Sequence, residues 1–169
     1  LNIEQPFYMK NIEFLEEEGE LHMYVDFHKG SKFKCPLCSN DGLSIHDTTE
    51  KTWRHLNFFE HECYIHARMP RIKPSNGGIK LISAPWSGLV PGFTLLFEAL
   101  LLQLCINMPI SQVGKLLKLT DHKLWSVADK YVEKGLDQSD HSKVNTVGMD
   151  ETSLKRGHNY ITLFVDMKE

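Results

Sequence analysis

The spacing of the apolar residues changes between Met69 and Phe93, and that change limits the fold more than any single motif. Up to Met69 apolar side chains recur at every second position, as in Ile12 and Phe14, and in Leu21, Met23, Val25 and Phe27. From Phe93 onward they recur three or four residues apart: Ile110, Val113, Leu116 and Leu117, then Leu124, Trp125, Ala128, Tyr131 and Val132. A period of two fits strands with one buried face, and a period of 3.6 fits amphipathic helices. The expected fold class is therefore α+β, with a β-rich front and a helical middle.

Turn-forming residues place the boundaries. Glu16-Glu17-Glu18-Gly19 separates the two alternating runs and predicts a β-hairpin from Tyr8 to Phe27. Further strands are expected at Thr52 to Leu56 and at Glu62 to Met69. The segment Pro70 to Gly92, with four prolines and four glycines, predicts an irregular linker. Phe93 to Ile106 is apolar nearly all round and predicts a helix packed on several sides. Pro109 suits the first position of a second helix, and Thr120, with Asp121 behind it, suits the N-cap of a third that ends before Gly135. Two helices joined by about three residues form a helix-turn-helix candidate. Strands at Val144 to Met149 and Tyr160 to Val165, joined by Glu151 to Asn159, close the pattern.

Hydrophobic residues at 41% and charged residues at 24% suit an ordinary folded protein. Phe93 to Met108 is interrupted by Thr94, Glu98, Gln103 and Asn107, and falls short of the roughly 18 apolar residues a membrane span needs. With no charged segment leading into an apolar one at the start, a cytoplasmic location is expected.

The net charge of −3 is small, yet it is unevenly distributed. Residues 1 to 30 sum to −5, whereas residues 51 to 80 carry Lys51, Arg54, Arg68, Arg71, Lys73 and Lys80 against Glu60 and Glu62, for +4. Arg68, Arg71 and Lys73 are thus candidate DNA-phosphate contacts, with a solvated strand face as the alternative.

Cys35 and Cys38 form a CxxC pair within turn-forming residues, which is half of a tetrahedral zinc site. Cys63 and His66 are three apart in an expected strand, so they should point to opposite faces and not share a metal. A redox role is disfavoured, because the pair follows a hairpin and does not open a helix. In a helix-turn-helix the second helix presents its N-terminal residues to the major groove, making His122, Lys123, Ser126 and Lys130 candidate DNA contacts. A small helical hairpin without a ligand is the alternative. Val147-Gly148-Met149-Asp150-Glu151-Thr152 puts a carboxylate at the end of an apolar strand. Metal-dependent phosphoryl transfer needs several such acids converging, and Asp150 alone does not supply them.

Thr52-Trp53-Arg54-His55-Leu56, His61-Glu62-Cys63-Tyr64, Gly92-Phe93-Thr94-Leu95-Leu96-Phe97-Glu98-Ala99, and Gly148-Met149-Asp150-Glu151-Thr152-Ser153 with Arg156-Gly157-His158-Asn159-Tyr160 together resemble the ISL-three group of bacterial insertion-sequence transposases, of the DDE class. The resemblance implies a zinc-ribbon-like module over 1–80, a helix-turn-helix region over 81–138 that recognises terminal inverted repeats, and over 143–169 the first hairpin of an RNase H-like catalytic domain. It implies Mg²⁺ or Mn²⁺ as the catalytic cofactor, Asp150 as the first catalytic acid and metal ligand, and an oligomeric complete enzyme. Asp166 matches no catalytic position. The second aspartate and the glutamate are expected beyond Glu169, so this chain by itself is expected to be inactive. Where the family places its second zinc-ligand pair this sequence has Pro74 and Gly77, so a Zn²⁺ site at Cys35 and Cys38 is expected to be degenerate. A non-catalytic DNA-binding module or regulator, or a decayed remnant, are the alternative readings.

Overall fold

The computed structural model describes residues 3–36, 42–74, 77–140, 142–155 and 159–168. Strands β1 (Phe7–Leu15) and β2 (Glu20–Phe27) form the expected hairpin, with Phe14 opposite Leu21 and Ile12 opposite Met23. Gly19 closes it at φ +64°, a left-handed conformation that glycine adopts without steric cost. On β2 the buried residues are Met23, Val25 and Phe27, so the alternation in sequence is the alternation between core and surface.

Strands β3 (Ile45–Phe58) and β4 (His61–Ile72) extend well beyond the expected segments and pair antiparallel. β4 lies centrally: it also pairs parallel with β2 and antiparallel with the short β5 (Lys80–Leu81), giving the order β1-β2-β4-β3. Its inward residues Cys63, Ile65, Ala67 and Met69 are almost wholly buried. The segment from Pro70 to Gly92 is not the linker its composition predicts. Pro70 and Ile72 belong to β4, and Ile82, Ala84 and Trp86 return to cover the sheet's core. Their alternation is hidden among prolines and glycines, so turn-forming composition outweighed it in the sequence.

Helix α1 (Leu95–Asn107) is capped by Thr94, whose Oγ1 accepts from the N–H of Phe97 at 3.3 Å. It buries Phe97, Glu98 and Leu101, while Leu95, Leu96 and Ile106 are exposed, so it does not pack on several sides. Before α2 (Ile110–Leu117), Pro109 takes the cap position, not the first helical one. Helix α3 (Asp121–Gln138) runs through Gly135. Phe93, Phe97, Leu101, Val113, Leu117, Leu124 and Val127 form a second core beneath these helices.

The chain divides into two compact units, 1–132 and 133–169. The second contains a two-stranded antiparallel sheet of β6 (Val147–Lys155) and β7 (Asn159–Asp166). β6 continues past the expected turn at Glu151, which puts Asp150 inside the strand, opposite Leu163, and not at its end. The architecture is mixed α+β, with a β-rich front and three helices.

Candidate nucleic-acid interface

Helices α2 and α3 are joined by Lys118, Leu119 and Thr120 alone. Lys118 ends α2 in the left-handed region, at φ 54° and ψ 43°, and the N–H of Leu119 returns to the carbonyl of Gly114 at 2.9 Å. That return brings the turn onto α2 so closely that a Cβ on Gly114 would lie 2.8 Å from the oxygen of Leu119. Glycine is therefore required there by close approach. With Leu124 and Val127 fully buried, α3 presents His122, Lys123 and Lys130 outward. Ser126 is half-buried and less available. Trp125 and Val132, expected in the core, are exposed, because Leu124 and Val127 occupy the inner face in their place.

A polar junction fixes this helical pair to the sheet. The guanidinium of Arg54 on β3 is buried between the rings of Tyr64 and Phe97, 5.3 and 5.2 Å from their centroids. It pairs with Glu62 at 3.3 Å, and Glu62 also holds Lys118 at 3.0 Å and accepts from the Tyr64 hydroxyl at 2.8 Å. Burial would raise the Glu62 pKa, but the bonds from Lys118 and Tyr64 and the charge of Arg54 outweigh it and hold the group low. Burial, together with the bond to Glu62, pushes the Tyr64 phenol up to about 12. The backbone joins too: Arg54 N–H donates to the Gly92 carbonyl at 2.8 Å, and Thr94 N–H donates to that of Arg54 at 3.0 Å. Beside it His55 Nδ1 lies 2.9 Å from Thr94 Oγ1, and burial drops the His55 pKa to about 4.

Glu98 on α1 completes the junction. Although fully buried, it accepts from the N–H groups of Leu89 and Val90 at 2.8 and 2.7 Å and from the Tyr131 hydroxyl at 2.8 Å. The carboxylate thus ties the loop before α1 to α3. A Cβ at Gly88 would overlap it, which explains the glycine. Arg54, His55, Glu62, Tyr64, Thr94, Phe97 and Glu98 lie in the stretches that carried the family resemblance, whereas Gly88, Leu89, Val90, Lys118 and Tyr131 do not.

Residues 92–132 match the helix-turn-helix domain of transposase family ISL3, and residues 31–73 match the zinc-finger of transposase IS204/IS1001/IS1096/IS1165. Two segments of the chain are thus similar to domains of ISL3-type transposases. The transposase for insertion sequence element IS1001 of Bordetella parapertussis is 25% identical to it over 164 residues, covering 96% of this chain and 40% of that protein. The transposase for insertion sequence element IS1557 of Mycobacterium tuberculosis is 25% identical over 119 residues, covering 69% of this chain and 26% of that protein. The chain thus spans less than half the length of these relatives. No solved structure matches it.

The other candidate residues are dispersed. Arg68 is paired with Asp26 at 2.9 Å and lies 4.7 Å from the centroid of Phe27, and Arg71 grips Asp47 with two bonds, so both charges are balanced within the sheet. Lys73 is exposed. Cys63 is buried in the core, whereas His66 lies on the opposite face against His22 at 2.7 Å and Thr52 at 3.0 Å, as strand parity requires. Cys35 is buried in the core that holds Phe7, Phe27, Phe33 and Trp86; Cys38 lies outside the described residues. Among the described residues no group of three ligand-type side chains includes Cys35. Asp150 is exposed and accepts from the N–H of Glu151 at 2.9 Å. Pairing of Asp150 with Leu163 and of Val147 with Asp166 puts the two aspartates on opposite faces of the β6–β7 sheet. No helix of the described residues is long and apolar enough to cross a membrane.

Proposed function

We propose that this chain recognises the terminal inverted repeats of an insertion element through α3, as the DNA-binding part of a transposase. The carrying observation is the tight α2–α3 turn within the matched helix-turn-helix domain, which leaves His122, Lys123 and Lys130 exposed on the second helix. Phosphate contacts release counterions, so affinity should fall steeply with salt. A mobility shift comparing terminal-repeat DNA with random duplex tests this. Preference for the repeat, lost on combined substitution of His122 and Lys123 by alanine, is expected; equal binding to both duplexes at low salt would sink the reading.

Three modules follow from the same reading: the zinc-ribbon-like front over 1–80, the helix-turn-helix region over 81–138, and over 143–169 the first hairpin of an RNase H-like catalytic domain. Asp150 is the proposed first acid of that domain, and its placement inside a strand, on the face away from Asp166, is compatible with the role. The complete transposase would use Mg²⁺ or Mn²⁺ to activate the attacking oxygen and stabilise the leaving one. Among the described residues Asp150 gathers no further acids, so the chain does not itself make that site and no step is assigned to it. A strand-transfer assay with Mg²⁺ should give no product from this chain, and turnover abolished by Asp150→Ala would refute that expectation. For the front module we propose a fold held by aromatic packing in place of zinc, supported by Phe7 against Phe33 and Trp86 at 6.0 and 5.4 Å between centroids, with Cys35 in the same core.

A further inference from the structure

Trp125 is the fifth residue of α3, and it is 54% exposed. Among the described residues no ring or hydrogen-bonding group partners its indole. Leu124 and Val127 take the inner face, so the helix turns Trp125 away from the core at the level of its second turn. One turn earlier lies His122 and one turn later Asp129, both exposed. Lys123 stands exposed beside the same end of the helix and gives it charge that a phosphate backbone would meet, whereas the Lys118 ammonium is held by Glu62 at 3.0 Å.

We propose that Trp125 reads thymine, by packing its indole against a C5-methyl group in the major groove. This rests on the DNA-binding reading given above. In a helix-turn-helix the N-terminal half of the second helix enters the groove, and Trp125 lies in that half. The apolar plane of an indole gains free energy when it leaves water against another apolar surface. The major groove offers one such group, the methyl of thymine; its other functional groups are hydrogen-bond donors and acceptors. His122 is left for hydrogen bonding to a neighbouring base edge, and Lys123 for a flanking phosphate.

The experiment uses the full chain and duplexes that it selects from a random-sequence pool. Each thymine of the selected site is replaced in turn by deoxyuridine, which removes the methyl and keeps the pairing. One position should lose about fourfold in affinity, the worth of one buried methyl group. Trp125→Ala should bind the selected duplex more weakly and make no distinction between thymine and deoxyuridine there. Trp125→Phe, which keeps an aromatic plane, should retain the distinction. Equal binding of all deoxyuridine duplexes by the unaltered chain would overturn the proposal while leaving DNA recognition intact, as would undiminished methyl sensitivity in Trp125→Ala. So would a change of oligomeric state in Trp125→Ala with an unaltered deoxyuridine response. Failure to enrich any sequence would overturn the DNA-binding reading itself.

Discussion

Replacing Glu98 by alanine should cost the chain more stability than removing any exposed charge, because one buried carboxylate oxygen pair serves three donors. The N–H groups of Leu89 and Val90 and the hydroxyl of Tyr131 would all lose their acceptor. An orphaned buried donor costs about 1–3 kcal/mol. Leu89 lies at the surface, where water can replace the acceptor, so the loss should be about 3 kcal/mol and not the full sum. With urea m-values of about 1–3 kcal/mol per molar, the unfolding midpoint should fall by roughly 1–3 M at unchanged slope. Tyr131→Phe removes one donor and should cost about 1 kcal/mol. In the double variant that cost should largely vanish, since the partner is already gone. Gly88→Ala gives an independent check: its Cβ would overlap the Glu98 carboxyl, so it should destabilise the unaltered chain and be better tolerated beside Glu98→Ala. A Glu98→Ala cost under about 1 kcal/mol, or full additivity with Tyr131→Phe, would refute the claim that this carboxylate ties the loop to α3.

Burial holds the His55 pKa at about 4 against an ordinary 6.5, so the folded chain disfavours the protonated ring. The unfolded chain therefore binds more protons between those values. Stability should be complete above pH 6.5 and fall by roughly 3 kcal/mol as the pH drops to 4, with an NMR titration of His55 centred near 4; a midpoint near 6.5 would contradict the buried contact with Thr94. Phe59 is 79% exposed at φ 54°, a conformation that bulky residues rarely hold. Phe59→Asn should stabilise the chain by about 0.5–1 kcal/mol in denaturant melts, and a loss would show that its ring contact with Phe58 matters more than the backbone. If aromatic packing holds the front module, purified chain should contain less than stoichiometric zinc by elemental analysis, and chelator should leave its thermal midpoint in place. Melting on chelation would restore a structural metal.

How much was legible depended on the range over which each feature is encoded. The β1–β2 hairpin and the α2–α3 turn are local, and alternation, Gly19 and the three-residue connection announced them. Helix phase was harder. On α3 the pairs Leu124 with Trp125 and Val127 with Ala128 offer two apolar stripes, and only packing against Val113 and Leu117 selects the one through Leu124 and Val127. Arg68 and Arg71 looked like phosphate contacts because their acids are remote, Asp26 being 42 residues away and Asp47 being 24. Net charge counted along a segment cannot see pairing across strands.

The junction shows why the family-like stretches cluster where they do. Arg54, Glu62, Tyr64 and Phe97 come from β3, β4 and α1, yet they form one packed unit with Lys118 of the α2–α3 turn. Parting the helices from the sheet at this contact would strip Phe97 from the Arg54 guanidinium and Lys118 from Glu62. Two backbone bonds from Arg54 to the segment 92–94 add a constraint independent of side chains. The sheet is therefore a mount for α3, and if α3 meets a duplex as proposed, the angle at which His122, Lys123 and Trp125 approach it is set by residues that need not touch DNA. It follows that Arg54→Met should weaken sequence preference more than Lys123→Ala does, although Lys123 is exposed and Arg54 is not. Arg54→Met removes the cation that Glu62, Tyr64 and Phe97 pack around and loosens the mount, whereas Lys123→Ala removes one exposed charge and should lower affinity about equally for all duplexes.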